Sequence, residues 1–413
     1  MTTRYRIDRL GSQGDGIAHV ERQPVFIPFV LPNEVVTAAR IKDRAELISV
    51  IEPSPLRVPP ACRHFTVCGG CALQHMDHSA YLAWKRAKVV EALKSRGIDA
   101  PVAETVACPE RSRRRVVLSA RRTEAGMLLG YNRALSHEIV DIAECPIAVP
   151  AIEAALPMLR QLAKLIAATP QAFHMTVTAT ASGLDIAAEG SGKLSEAARR
   201  TAADFIIREG GARLSTDGEI IVEPRKPQVD FGGAVVTPPP GGFLQAVAAA
   251  EDAMAGLVLA HLAKAKRVAD LFAGSGAFAL RLARQSEVHA VEGDAPALAA
   301  LDRGFRSATG LKRVTPEKRD LFRRPLTFKE LNAFDAVVFD PPRAGAEDQS
   351  KQIAKSEVPK VAAVSCNPTT LARDLEILLS GGYQLKAVTP VDQFLWSPHV
   401  EAVALLEKPK RRR

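Results

Sequence analysis

From about residue 236 onward, short apolar stretches alternate with helical periodicity. This rhythm constrains the fold of the 413-residue chain more than any other feature. The pattern predicts a helix over 244–263, a strand over 266–271, a helix over 276–285 and a strand over 287–292. Further strands fall at 334–339 and 360–365, a helix at 369–380, and a closing pair near 383–390 and 400–407. Strands alternating with helices define an α/β fold with a mostly parallel, doubly wound sheet. Ligands of such sheets bind beyond the carboxyl ends of the strands, so residues at those ends are the functional candidates.

The first such end is Val268-Ala-Asp-Leu-Phe-Ala-Gly-Ser-Gly276, a strand running through a turn into a helix. Gly274 and Gly276 let the backbone approach a ligand closely. The next strand ends in Glu292, placed to accept hydrogen bonds from a ribose diol. The third glycine of the dinucleotide fingerprint is missing. Asp270 followed by Phe272 and Gly-x-Gly looks more like the S-adenosylmethionine loop of class I methyltransferases. Asp320 ends the next segment, where adenine is edged in that fold. At Val337–Arg343 a strand stops at Asp340, followed by Pro341 and Pro342. A residue before proline is driven toward extended geometry, which fixes the Asp340 side chain. Many base-modifying methyltransferases carry an aromatic residue after the two prolines, stacked on an amine-bearing base. Arg343 stands there instead, which argues against an exocyclic amine as target.

Cys366 lies between strand and helix in Val364-Ser-Cys-Asn-Pro-Thr-Thr-Leu-Ala-Arg-Asp374. Asn367 suits a helix cap and Pro368 the first helical position. The positive end of that helix is expected to lower the thiol pKa. A lone cysteine is more often a small buried apolar residue. Its place at the ligand face, with Asp340 nearby, favours a nucleophile. Carbon 5 of uracil is a poor nucleophile, and thiolate addition to carbon 6 makes it an enolate-like carbon able to attack a sulfonium methyl group. A base must then remove the carbon-5 proton. His399-Val-Glu401 offers Glu401 for that step.

The first half of the chain has a different texture. Residues 1–57 read as short strands separated by turn signals, a pattern that predicts a small barrel, and Pro53, Pro55, Pro59 and Pro60 stiffen the following linker. A helix is expected over Ser79–Arg96, with Ser79 as cap and Gly97 as left-handed terminator. A hairpin pairs Arg115–Arg121 with Met127–Asn132, helical patterns lie near 148–168 and 194–208, and strands near 173–180 and 218–223. The expected domains are 1–57, a central α+β domain over 58–235, and the doubly wound domain over 236–413. Six cysteines are too few for a disulfide scaffold. Cys62, Cys68 and Cys71 lie close together, and Cys145, followed by Pro146, comes much later. Four thiolates suit zinc or an iron–sulfur cluster. Zinc sites usually come as two paired loops, so three grouped cysteines and one distant one favour [4Fe–4S]. The spacing does not fit a radical enzyme, and Cys108 reads as a bystander.

Together these motifs resemble the RNA uracil-5 methyltransferases, over essentially the whole chain and most closely the branch acting on 23S ribosomal RNA. The resemblance implies a Rossmann-like class I methyltransferase domain, an N-terminal TRAM-type oligonucleotide-binding (OB-fold) barrel and a central iron–sulfur domain. It implies Cys62, Cys68, Cys71 and Cys145 as ligands of a [4Fe–4S] cluster, Cys366 as nucleophile and Glu401 as general base. Gly242-Phe-Leu-Gln245 matches the family's Phe-x-Gln, where Phe243 would stack on the flipped base and Gln245 would lie beside the methyl donor. Phe272, Glu292, Asp320 and Asp340 match its cofactor and uracil contacts, Asp340 on both sides. Ala277 and Ala248 stand where the family often has asparagine, and Leu395-Trp-Ser397 replaces a common Pro-x-Thr.

The implied cofactors are S-adenosyl-L-methionine and the cluster, and the implied partner is RNA, ribosomal first and transfer RNA second. Lys+Arg exceed Asp+Glu by 55 to 46, a net charge of +9 that suits a polyanion. Arg111–Arg115, Arg121-Arg122 and the tail Lys408–Arg413 are the basic runs available to phosphates. No apolar run approaches the ~20 residues of a membrane helix, and the opening residues lack a signal-peptide core. A cytoplasmic protein without membrane or obligatory protein partner is expected. The competing functions are RNA 5-methylcytosine formation and a non-catalytic RNA-binding protein. Retention of both Cys366 and Glu401 argues against the latter.

Overall fold

The computed structural model describes residues 2–409. Its C-terminal sheet has seven strands, in the order Val314–Lys318, Glu287–Glu292, Arg267–Leu271, Ala336–Phe339, Lys360–Ser365, Glu401–Glu407, Gln384–Val391. The first five are mutually parallel, and the last two form an antiparallel hairpin paired to Lys360–Ser365. The four residues of Ala336–Phe339 are all buried, as a central strand covered on both faces requires. Strand order reverses direction between Arg267–Leu271 and Ala336–Phe339. The crevice at such a switch point is where doubly wound sheets bind ligands.

Two expected helices are shorter than their periodicity. The 244–263 helix begins at Ala248 and runs to Leu262, which leaves Phe243 and Gln245 on irregular chain before it. The 276–285 helix contracts to Ala279–Leu282 because Gly276, at φ 102°, holds the turn open. A Cβ on Gly276 would meet Leu301 and Leu280 at 2.9–3.1 Å, so only glycine fits there. Helices Ala295–Ser307 and Glu347–Lys355 and strand Val314–Lys318 were not read from the sequence.

The central region is a second seven-stranded sheet, Glu219–Val222, Arg213–Thr216, Gly183–Glu189, Phe173–Thr180, Arg115–Thr123, Gly126–Asn132, Ile139–Asp141. Helices Leu156–Ile166 and Glu196–Arg208 bury Leu159, Leu162, Ile166, Phe205 and Ile206 against it. The N-terminal strands Thr2–Arg6, Arg9–Leu10, Gly16–Val20, Gln23–Ile27, Val35–Ile41 and Arg44–Glu52 form one six-stranded sheet. Among the described residues no ladder joins its two edge strands, so the expected barrel is not closed.

Helix His78–Lys94 packs against helix Pro368–Ser380 and strand Gln384–Val391 of the C-terminal region. Its cap is Asp77, whose carboxylate accepts the Ala80 N–H at 3.0 Å, and not Ser79, whose hydroxyl donates to Asp77. Aspartate wins because its side chain reaches back over the first turn while Ser79 already lies inside the helix. Gly97, at φ 70°, terminates the helix as expected. Buried Lys85 on this helix donates to Asp392 at 2.7 Å, to the Phe394 carbonyl at 3.1 Å and to the His399 carbonyl. The helix thereby grips the segment that leads into strand Glu401–Glu407.

Most of the basic run 111–115 is engaged inside the protein. Arg111 pairs with Glu153, Arg114 donates to Glu251 at 2.7 Å, and Arg115 donates to the Gly241 carbonyl at 3.2 Å. Arg122 donates to the Lys164 and Ala167 carbonyls. Arg114 and Arg115 stitch the central and C-terminal regions together, whereas Arg111 and Arg122 are held within the central region. In the tail, Lys408 donates to the Ala354 and Ser356 carbonyls, and residues 410–413 lie outside the described residues. No helix is long and apolar enough to cross a membrane, among the described residues.

Candidate active site

Five of the expected cofactor residues, Phe272, Gly274, Gly276, Glu292 and Asp320, follow the strand ends on one side of the switch-point crevice. Strand Arg267–Leu271 hands over to Phe272, held at φ 61°, then to Gly274 at φ 54° and Gly276. Glu292 reaches across from the neighbouring strand end, where its Oε2 accepts the Gly274 N–H and its Oε1 the Asp294 N–H, each at 2.8 Å. The carboxylate thus ties the glycine turn to the strand end, and each oxygen keeps a lone pair for a further donor. Asp320 Oδ1 accepts the Phe322 N–H at 3.0 Å. That turn sets the Phe322 ring, 50% exposed, against Phe272 at a centroid distance of 5.4 Å. Phe322 went unread in the sequence; an aromatic two residues after a strand-end acid was its only signal.

On the other side stand the polar groups of a second cluster. Asp340 terminates Ala336–Phe339, and its Oδ2 accepts from Gln245 Nε2 at 2.8 Å. Gln245 Oε1 accepts from Gln393 Nε2 at 2.7 Å, and the same amide donates to Glu401 Oε1 at 3.3 Å. Gln245, Gln393 and Glu401 are all buried, whereas Phe243, two residues before Gln245, is 68% exposed. A large ring with little covering it is available for stacking.

Cys366 follows strand Lys360–Ser365, and Asn367 caps helix Pro368–Ser380 by accepting the Thr369 N–H at 3.1 Å. That capping was legible in the sequence. The remainder of the motif anchors a loop. Asp374, buried, accepts the Ala346 N–H at 2.7 Å, and Arg373 donates to the Ala344 carbonyl at 3.0 Å. Asn367 and Thr370 side chains donate to the Arg343 carbonyl. The loop after Asp340 and the helix after Cys366 are therefore one rigid unit.

The electrostatics differ from the expectation of a depressed thiol pKa. Burial, then the Glu401 and Asp340 carboxyls, push Cys366 up to about 11 against the opposing Arg343. Burial also raises Asp340 to about 7, with Gln245 opposing. Glu401 is pushed well above the usual carboxylate range by burial and by Asp340, with Gln393 and Lys85 opposing. Asp270, fully buried behind the glycine turn, is likewise held high by burial and by Asp340. Burial thus favours the protonated forms of Asp270, Asp340, Glu401 and Cys366, and Glu401 Oε2 has no hydrogen-bond partner.

The four expected ligand cysteines lie elsewhere. Cys62, Cys68, Cys71 and Cys145 line one cavity with Phe65, Gln74 and Tyr131. The His64 and Gly70 N–H groups point at the Cys62 and Cys68 sulfurs, each at 3.4 Å. Among the described residues no set of three or more His, Cys, Asp or Glu side chains closes on a single-ion site. Cys108 is apart from this cavity, in the apolar core with Val247 and Met254.

The fold, with its glycine turn and acids at the switch point, is that of an S-adenosylmethionine-dependent methyltransferase. The family model "tRNA (Uracil-5-)-methyltransferase" matches residues 237–409. An RNA methyltransferase of Mesorhizobium japonicum is 68% identical over 413 residues, covering 100% of both chains. One of Caulobacter vibrioides is 47% identical, covering 97% of this chain and 99% of that protein. The crystal structure of Pyrococcus abyssi tRNA (uracil-54, C5)-methyltransferase with S-adenosyl-L-homocysteine superposes with a TM-score of 0.76 at 23% identity, over 98% of this chain and 99% of that one. At that identity the last likeness is one of fold. The chain belongs to the RNA uracil-5 methyltransferase family, and it is an RNA methyltransferase that uses S-adenosylmethionine.

Proposed function

We propose that the protein methylates carbon 5 of one uridine in 23S ribosomal RNA through a covalent adduct between Cys366 and carbon 6. The observation that carries this reading is the convergence of Asp340, Gln245 and Glu401 in one hydrogen-bonded set beside Cys366. The Cys366 thiolate adds to carbon 6, and the resulting enolate attacks the sulfonium methyl group, releasing S-adenosylhomocysteine. Glu401 then takes the carbon-5 proton. The C–H electron pair becomes the carbon 5–carbon 6 double bond, and the C–S pair returns to sulfur. Phe243 stacks on the uracil, which must leave its own stack to reach the thiol. Asp340 and Gln245 contact the uracil and the methyl donor. Phe272, Gly274, Gly276, Glu292 and Asp320 hold the cofactor, with the Phe272–Phe322 ring pair as an apolar wall.

Residues 1–57 act as an OB-type RNA-binding module of the TRAM kind, although their sheet is open. Cys62, Cys68, Cys71 and Cys145 hold a [4Fe–4S] cluster. Their grouping around one cavity, with N–H groups aimed at two of the sulfurs, supports this reading through the thiolate donors it brings together. Such a cluster would cross-link the 62–71 loop to residue 145 and would hand no electron to the methylation.

Transfer RNA is the second reading, and a specific observation favours it. The Pyrococcus abyssi enzyme, whose substrate is a tRNA uridine, matches along 98% of this chain, N-terminal region included. The presence of an N-terminal module therefore does not separate the two RNA classes. Mapping 5-methyluridine in ribosomal and transfer RNA from a deletion strain and its parent decides between them. Loss from 23S RNA alone supports the first reading, and loss from tRNA alone replaces it.

A further inference from the structure

Gln393 is a buried amide with every polar atom engaged, and no step of the chemistry above uses it. Its Oε1 accepts the Ala246 N–H at 3.1 Å. A backbone N–H can only donate, so this contact fixes which way round the amide lies. Both hydrogens on Nε2 then point at acceptors, Gln245 Oε1 at 2.7 Å and Glu401 Oε1 at 3.3 Å. With its oxygen so committed, Gln245 must turn its own NH2 to Asp340 Oδ2, at 2.8 Å. One backbone N–H sets the polarity of the whole chain from Ala246 to Asp340.

The branch to Glu401 has a further consequence. It occupies Oε1 and leaves Oε2 as the carboxyl oxygen without a partner. The backbone around Gln393 has little freedom, because Lys85 holds Asp392 on one side and the Phe394 carbonyl on the other. We propose that Gln393 is a positioning residue for proton removal: it clamps Oε1 of Glu401, presents Oε2 to the carbon-5 proton, and keeps Gln245 facing Asp340. This rests on the reading of Glu401 as the base. The charged and titratable groups facing Glu401 are Asp340 at the end of Ala336–Phe339, Lys85 from helix His78–Lys94, and Cys366. Gln393 opposes the rise that burial and Asp340 impose on Glu401, so its removal moves proton uptake to higher pH.

The test compares the wild type with Gln393→Met, Gln393→Glu and Glu401→Gln. Each is supplied with methyl-labelled S-adenosylmethionine and RNA extracted from the deletion strain. Gln393→Met keeps the volume and loses the donor. Turnover should fall by about 10²-fold with little change in KM for the cofactor, a loss of the size a general base contributes. A methylated RNA–protein adduct should persist on denaturing gels, as with Glu401→Gln. Gln393→Glu keeps an acceptor for the Ala246 N–H but sets a carboxyl against Glu401. It should trap the same adduct and move the acid limb of the rate profile up by about one pH unit, the scale of one close like charge. Gln393 variants that lose activity with no adduct and an unmoved pH limb overturn the proposal, as do variants that turn over normally. If Glu401→Gln traps adduct and the Gln393 variants do not, only this proposal fails. If Glu401→Gln itself turns over normally, the base assignment fails and takes the proposal with it.

Discussion

Lys85 Nζ lies 2.7 Å from Asp392 Oδ1, and neither side chain reaches solvent. The pair joins helix His78–Lys94 to the segment that carries Gln393 and Glu401. Tyr81, one turn earlier, donates to the same Asp392 oxygen at 2.9 Å and accepts the Trp396 N–H at 2.7 Å. The loop that follows Cys71 joins in, with the Ala72 and Leu73 N–H groups donating to the Trp396 carbonyl at 2.8 and 3.1 Å. The cysteine-bearing region and the segment before Glu401 are therefore one packed unit, although they are more than 300 residues apart in sequence.

Breaking that pair from one side should be costly. Lys85→Met leaves the Asp392 carboxylate buried without its cation, a loss of about 3–5 kcal/mol. Asp392→Asn in the same background removes the stranded charge and should recover at least about 1 kcal/mol, since the two sites are in contact and not additive. Urea denaturation of the two single variants and the double variant measures both quantities. A Lys85→Met cost below about 1 kcal/mol, the scale of an exposed pair, would mean that water reaches the pair in solution.

The pH profile has a definite sign. The thiolate is the reacting form of Cys366, and burial with two nearby carboxyls holds the thiol up at about 11. Below that value the thiolate share grows tenfold per pH unit. Ionisation of Asp340 near about 7 pushes the thiol further up but does not reverse the trend. Glu401 must be ionised to act as base, and burial delays that to higher pH as well. The value of kcat/KM should therefore climb between about pH 7 and pH 9, by close to tenfold per unit where the thiol alone limits. A profile already flat at neutral pH would mean that the helix terminus lowers the thiol after all.

How much of this was legible beforehand follows from how local each signal is. The Asn367 cap, the Pro368 start and the Gly276 turn depend on a few adjacent residues, and all three appear as read. The depressed thiol did not, because burial opposes it first and then Glu401 and Asp340, which come from two other strands. Gln393 was invisible for the same reason: its partners lie 148 residues upstream at Gln245 and eight downstream at Glu401. The partners of the basic run 111–115 were equally hidden: Arg114 finds buried Glu251, which no charge count reveals. Ser79 and Asp77 are both good caps, and only the register of the helix separates them. The open edge of the N-terminal sheet is a matter of closure, on which strand spacing is silent.

The cysteine cavity carries its own prediction. Protein purified without oxygen should be brown and contain about four iron atoms per chain. Cys62→Ser or Cys145→Ser should bleach the colour and lower solubility and melting temperature more than the rate of the chemical step. The reason lies in the position of the four cysteines, which line a cavity outside the crevice and are joined to it through backbone contacts such as those at Trp396. Stoichiometric zinc in place of iron would remove the cluster assignment.

The central claim is that Cys366 bonds to the base and Glu401 releases it. Denaturing electrophoresis of the two variants with methyl-labelled cofactor and RNA from the deletion strain tests it most directly. Cys366→Ala should transfer no methyl group and form no adduct, because no thiolate remains to add to carbon 6. Glu401→Gln keeps the nucleophile and the cofactor turn, so addition and methyl transfer proceed and elimination stalls. A labelled RNA–protein band should therefore accumulate while turnover drops by about 10²–10⁴-fold. Labelled product from Cys366→Ala, or near-normal turnover by Glu401→Gln with no retained band, would contradict the account.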